Sequence, residues 1–388
     1  MRILHIIDYF YPLLGYQETF LARFHSLNHE VLVITSDRYP NVMYNVHRNL
    51  LKKRIVGPGL FIEEGIKVLR LPVLFELFEK PWLHGLERAV LNFNPDVLIM
   101  HGLVNFTSIR VVKLKKKLSK MKLIIDDHMT YNATRGGWTK LFYYFFRNFF
   151  TPMFISEVDS FVAVTKETEE FMQKVYKIPG DRINIIPLGV ETNQFRYDLA
   201  SRKYIREKYG IKESDIVFIY CGKVTPSKGV HLFINAGLRL SKKFDHVFFL
   251  IVGGRDPVYF DYLQKIITKA GVKDRFIFID SVPNSQLFRY YSAADVGVWP
   301  LQCSISMLEA TACGLPIIIS DKSGALERIS MGNGVSYKEG DVNDLEEKMS
   351  LLLNHELRNR MRERAYEYAR SIDWKIIANK FLEIVDRK

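Results

Sequence analysis

Ile216-Val217-Phe218-Ile219-Tyr220-Cys221-Gly222-Lys223-Val224-Thr225-Pro226-Ser227-Lys228-Gly229 reads as a strand, a turn and the opening of a helix. The first six residues are all apolar or aromatic, as a strand buried on both faces requires. Glycines bracket the turn that follows, where the backbone must bend sharply and leave room for a neighbour. A strand feeding a helix through so short a loop is the repeating unit of a parallel sheet covered by helices.

The same grammar continues outward. Downstream, strands are predicted at 247–252, 276–278, 296–299 and 316–320, with helices at about 229–241, 261–270, 284–293, 307–313 and 344–354. Upstream, strands at 3–7, 31–35, 67–70, 97–101, 122–126 and 160–164 alternate with helical stretches such as 18–27 and 110–120. The fold class expected is α/β: two Rossmann-like, doubly wound parallel-sheet domains, 1–188 and 189–370, with a linker near 187–197. Ligands of such sheets bind at the carboxyl ends of the strands, so an interdomain cleft is the expected site. A charged helix over 358–370 precedes a last amphipathic helix within 371–388, for which Ser371 suits the N-cap. That tail either caps the second domain or straps back onto the first.

At 388 residues, 48% hydrophobic and 25% charged, the chain has the bulk of an ordinary two-domain globular protein. Cys221, Cys303 and Cys313 fit buried thiols in a reducing compartment better than a disulfide scaffold or metal site. His5 and Asp8 interrupt the apolar start, which therefore reads as a strand and not a signal peptide. No stretch has the ~18 apolar residues of a membrane span. A cytoplasmic protein is expected.

The formal net charge is +12, and residues 101–150 carry ten Lys/Arg against Asp126 and Asp127. Such a block suggests an anionic partner: membrane lipid, phosphorylated acceptor or nucleic acid. It joins the aromatic run 138–150, which either packs as a buried helix under the first sheet or lies in a membrane interface. The second reading makes the protein peripheral on a membrane, with a lipid-linked or membrane-proximal acceptor met through residues 110–150. No nucleic-acid recognition motif accompanies the charge, so nucleic acid is not expected as a partner.

Four features carry chemistry. Gly222, Lys223 and Lys228 stand in a turn before a helix N-terminus, where amides, the helix dipole and two ammonium groups suit a diphosphate. The turn is neither a Walker loop nor Gly-x-Gly-x-x-Gly, and two solvated surface lysines are an equal alternative to phosphate binding. Glu309, in Ser304-Ile305-Ser306-Met307-Leu308-Glu309-Ala310-Thr311-Ala312-Cys313-Gly314-Leu315-Pro316, lies on the first turn of an apolar helix. Its carboxylate suits a ribose diol, or merely the helix dipole. Gly15, before the first helix, lets a loop approach a ligand. His128 follows a strand's carboxyl end, where a histidine is either structural or ligand-facing.

Together these segments resemble the retaining glycosyltransferases of family 4 (glycosyl transferases group 1), which have the GT-B fold. The resemblance runs nearly the full length. It rests on 12–18 with His29-Glu30-Val31, on Ile186-Pro187-Leu188-Gly189-Val190-Glu191, on Tyr290-Tyr291-Ser292-Ala293-Ala294-Asp295-Val296, and on 309–316. It implies that Lys223 and Lys228 neutralise the donor diphosphate and that Glu309 holds the ribose. It further implies that Val282 meets the base, that His128 contacts the donor sugar, and that Gly15 approaches the phosphates. Ser304, Ile305, Ser306, Met307 and Leu308 would complete the donor site. Trp374 matches the aromatic before a terminal helix that crosses back to the first domain. The substrate implied is a UDP- or GDP-sugar, with no metal and no further cofactor. Leu301 departs from the family, which places a sugar-gripping Glu there; Tyr16 stands where it prefers Gly. A noncatalytic GT-B partner subunit, a nucleotide-sugar epimerase and a phosphorylase are the competing readings.

Overall fold

The computed structural model describes residues 1–46, 51–131 and 137–386. The chain forms two compact units, Met1–Leu188 with Trp374–Lys388, and Gly189–Asp373.

The first unit is built on β1 (Arg2–Ile7), β2 (Glu30–Ser36), β3 (Gly59–Glu63), β4 (Ile66–Leu71), β5 (Val73–Leu77), β6 (Lys80–Leu83), β7 (Val97–His101), β8 (Lys122–Asp127), β9 (Ser160–Ala163) and β10 (Ile183–Ile185). Eight of these make a sheet in the order β10-β9-β8-β7-β1-β2-β4-β3, and β5 and β6 form a separate hairpin. All neighbours are parallel except β3 against β4. Ile3 pairs with both Val31 and Val97, so β1 lies where the strand order reverses. The loops after β1 and β7 therefore flank the crevice in which such sheets bind ligands.

The second unit carries β11 (Ile216–Cys221), β12 (Val247–Val252), β13 (Phe276–Ile279), β14 (Val296–Trp299), β15 (Ile317–Ser320) and β16 (Gly334–Tyr337). They form one parallel sheet, ordered β13-β12-β11-β14-β15-β16. The switch point lies between β11 and β14, beside the turn quoted at the outset.

The buried central strands coincide with the apolar runs, because a strand covered on both faces must be apolar throughout. The edge strands β3, β10 and β16 and the β5–β6 hairpin escape that reading. β3 alternates between half-buried and exposed, β10 is three residues long, and β16 is mostly half-buried.

The tail requires a correction. Ser371 is not the N-cap of the last helix. It is the final residue of the helix His355–Ser371, and its hydroxyl donates back to the Tyr368 carbonyl at 2.7 Å. The last helix, Trp374–Asp386, belongs to the first unit. There Trp374 stacks on Phe20 with centroids 5.0 Å apart and is almost fully buried.

The aromatic run forms the helix Gly137–Phe149. Tyr143 and Phe146 pack inward against Phe171, Tyr176 and Phe154, while Tyr144, Phe145 and Phe149 are exposed. Three-residue spacing on a helix produces that division. Arg135 and the side chains of Trp138 and Lys140 lie outside the described residues. The basic block is weaker in space than in sequence, because acids from outside it fold against it. Arg110 pairs with Glu87, Lys116 with Glu157, and Lys115 and Lys122 with Asp159. No helix among the described residues is long and apolar enough to cross a membrane.

Candidate functional site

In the second unit two separate motifs converge. The turn Pro226–Lys228 ends on Gly229 in the left-handed conformation (φ 69°), which also starts the helix Val230–Lys243. Gly222 at the turn's other end has φ 151°, and a Cβ there would lie 2.9 Å from the Tyr220 hydroxyl. That hydroxyl donates to the Lys223 carbonyl at 2.8 Å and braces the turn. The second motif is bonded to the same place. Ser306 Oγ donates to the Cys221 carbonyl at 2.8 Å, and Trp299 Nε1 reaches that carbonyl at 3.0 Å. Leu301 lies over the start of the helix, its Cγ 2.5 Å from where a Cβ on Gly229 would stand.

Lys223 is exposed and Lys228 half-buried. Burial holds the Lys228 ammonium below its ordinary range; Cys303 opposes this and the Lys223 charge adds to it. Two cations this close stabilise an anion between them. Glu309 is buried on the first turn of Ser306–Ala312. Asn284 Nδ2 donates to its Oε1 at 2.8 Å and the Tyr291 hydroxyl to its Oε2 at 3.0 Å. Burial raises its carboxyl to about 7, against the pull of those two bonds.

The rest of that motif is structural in its side chains. Met307 and Leu308 are core residues, and their amides turn back to the Ser304 and Ile305 carbonyls. The amides of Ile305 and Ser306 donate to no group among the described residues. Ser304 Oγ sits 2.8 Å from Ser306 Oγ, and buried Arg328 donates to the Ser304 carbonyl at 2.6 Å. Val282 is half-buried in the loop after β13. Three supports escaped the sequence reading: Asn284, Arg328, and the pair Gly253-Gly254 after β12. A Cβ on Gly253 would fall 2.0 Å from the Gly222 carbonyl oxygen, and Val224 N donates to the Gly254 carbonyl at 2.8 Å. The Gly-Gly pair was itself a signal, since two loops in backbone contact leave no room for side chains.

In the first unit, Gly15 takes φ 67° ahead of the helix Gln17–His25. Gln17 Nε2 donates to Asp126 Oδ2 at 2.7 Å, joining the opening loop to the end of β8. Asp127 Oδ1 accepts from the amides of His128 (2.8 Å) and Met129 (3.3 Å), a turn that leaves the His128 side chain exposed. Burial lifts the Asp127 carboxyl to about 6 and that of Glu18 to about 7. Gly15 and His128 thus both stand at carboxyl ends of strands near the switch point, while Lys223, Lys228 and Glu309 gather in the second unit.

Two Rossmann-like domains in one chain, each with such loops at its strand ends, define the GT-B class. The description "Glycosyltransferase Family 4" matches residues 16–194 and "Glycosyl transferases group 1" matches residues 201–371, so the chain belongs to this glycosyltransferase family. A GDP-mannose-dependent alpha-(1-6)-phosphatidylinositol monomannoside mannosyltransferase of Mycolicibacterium smegmatis is 28% identical over 172 residues, 42% of this chain and 44% of that protein. The chain spans about half the length of the curated relatives it matches. Among solved structures, a glycosyltransferase from Rickettsia africae aligns with TM-score 0.75 at 15% identity, over 100% of this chain and 98% of that one. Anabaena Alr3699/HepE in complex with UDP aligns with TM-score 0.73 at 16% identity, over 100% of both chains. These two likenesses are of fold.

Proposed function

We propose that the protein is a retaining glycosyltransferase that transfers a sugar from a UDP- or GDP-sugar to a hydroxyl on a lipid-linked or glycan acceptor. The observation that carries this is the single cluster made by Gly222–Gly229 and Ser304–Glu309, bonded together through Cys221 and Ser306. It offers two ammonium groups and a helix start to a diphosphate, and a carboxylate to a ribose diol. Leu301 replaces the acid that the resemblance leads one to expect, so the sugar is gripped differently, through the amides of Ile305 and Ser306.

In the proposed step the anomeric carbon–oxygen bond to the diphosphate breaks as the acceptor oxygen bonds to the same face. The acceptor's proton passes to the departing phosphate. Lys223 and Lys228 stabilise charge that grows on the leaving group, and such stabilisation acts on the transition state. Gly15 and His128 are the contribution assigned to the first unit. The exposed Tyr144, Phe145 and Phe149 beside Arg147 support a peripheral membrane position, as does the word phosphatidylinositol in the name of the Mycolicibacterium smegmatis relative.

Calorimetric titration with UDP, GDP and their sugars tests this reading. One nucleotide class should bind, and Lys228→Ala should weaken it roughly 10- to 100-fold, the loss of one charge-assisted contact. Thermal stability should stay unchanged, because Lys228 has no carboxylate partner among the described residues. No binding by either class would overturn the assignment. Binding without transfer or hydrolysis would favour a noncatalytic subunit.

A further inference from the structure

His5, in the middle of β1, is fully buried between two other histidines. Its Nδ1 lies 3.0 Å from His101 Nε2, and its Nε2 lies 3.0 Å from His25 Nδ1. The row continues at both ends. His25 Nε2 is 2.8 Å from the Ala378 carbonyl oxygen, and His101 Nδ1 is 2.8 Å from Asp126 Oδ2. Five groups, drawn from β1, β7, β8, the first helix and the C-terminal helix, are joined by four contacts within the first unit.

Counting protons fixes the chemistry of this row. Both terminal groups, a carbonyl and a carboxylate, only accept. Four hydrogen bonds need four protons, and three neutral imidazoles bring three. The row therefore holds one proton more than neutral histidines carry. Its one anion is Asp126, so the extra proton belongs on the ring that touches it, His101. The direction is then set throughout. His25 donates from Nε2 to Ala378, His5 donates from Nε2 to His25, and His101 donates from Nε2 to His5 and from Nδ1 to Asp126.

We propose that this row is a positioning device for the donor-side loops. With the C-terminal helix setting its direction, it keeps His101 as an imidazolium on the Asp126 carboxylate. Asp126 in turn holds Gln17, two residues beyond Gly15, and anchors the strand end that presents Asp127 and His128. The importance of those loops rests on the function proposed above; the ionisation of the row does not. Electrostatics agree. Burial alone disfavours charge on His101, but Asp126 outweighs it and raises the imidazole above its ordinary value. Burial likewise opposes ionisation of Asp126, and the His101 charge and hydrogen bond overcome it. Burial first, then the neighbouring histidine charges, keeps His5 neutral, and burial holds His25 near 4. The other titratable groups facing the row are Glu18, His29, Asp127 and His128.

Nitrogen-15 NMR of histidine-labelled full-length protein at neutral pH reads this directly and needs no donor. His101 should show both nitrogens protonated, and His5 and His25 should each carry their one proton on Nε2. A neutral His101, or a proton on Nδ1 of either other ring, overturns the row. Positioning is read from amide exchange. Asp126→Asn should speed exchange at His128 and Met129 about tenfold or more, as local opening becomes easier. His5→Gln, which keeps one donor and one acceptor, should leave that exchange near its original rate. Unchanged exchange in Asp126→Asn overturns the positioning role. Absence of nucleotide binding would instead count against the proposed function and leave the row intact.

Discussion

Glu309 meets two opposing demands: its place on an apolar helix disfavours charge, while a ribose diol requires an anion. With its carboxyl near 7, the fraction able to accept two hydroxyls grows as pH rises through neutrality. Nucleotide affinity should therefore increase between pH 6 and 8, and Glu309→Gln should bind more weakly with a flatter profile. Calorimetry across that range checks this; affinity that falls with rising pH would contradict the assigned role. For folding the sign is opposite. A raised carboxyl contributes stability that is present below the unfolded value near 4.5 and lost as pH climbs through 7. Lys223, Lys228 and His128 are visible in sequence because each stands at a turn between recognisable elements, and Glu309 because it is an acid on an otherwise apolar helix. The partners that tune the buried titratable groups are not. Asn284 lies 25 positions from Glu309, and Ala378 lies 353 from His25. No local pattern reports such distances.

The turn at Gly229 shows why an element's start can matter more than its length. Its left-handed backbone disfavours any side chain, and Leu301 occupies the space a Cβ would need. Gly229→Ala should destabilise the protein by about 1–3 kcal/mol and weaken nucleotide binding. Adding Leu301→Ala should recover part of the stability, since it relieves the clash but not the backbone strain. A chemical-denaturation cycle on the four proteins measures this, and strict additivity would mean that the two residues do not touch. The central strands of both sheets were legible because burial on two faces leaves an unbroken apolar run. Edge strands lack that constraint, and Gly334–Tyr337 has too few apolar residues to announce itself.

Buried histidines and buried carboxyls pull the stability of the molecule in opposite directions as pH changes. His25 titrates near 4 when folded and near 6.5 when unfolded, and His5 is depressed in the same direction. The unfolded chain thus binds protons that the folded one refuses. Taken alone, each such histidine adds stability as pH increases from 4 to 6.5, by up to about 1.4 kcal/mol per pH unit. His101 and the carboxyls of Asp8, Glu18, Asp127 and Glu309 have the opposite sign, their contributions being lost as pH climbs through their raised values. Denaturant midpoints at pH 5, 6 and 7.5 for the wild type and for His25→Gln isolate the histidine part, and an identical pH slope in the two proteins would mean that His25 is not buried neutral.

The return of Trp374–Asp386 to the first unit also has a temporal meaning. Synthesis delivers Met1–Leu188 before the second unit, yet the helix bearing Trp374 and Ala378 leaves the ribosome only after it. The 185 residues of Gly189–Asp373 emerge between the two parts and can fold as a unit in the interval. Of these two units, the one begun earlier is therefore completed later. A nascent chain stalled at Asp373 should protect its second half from protease sooner than its first.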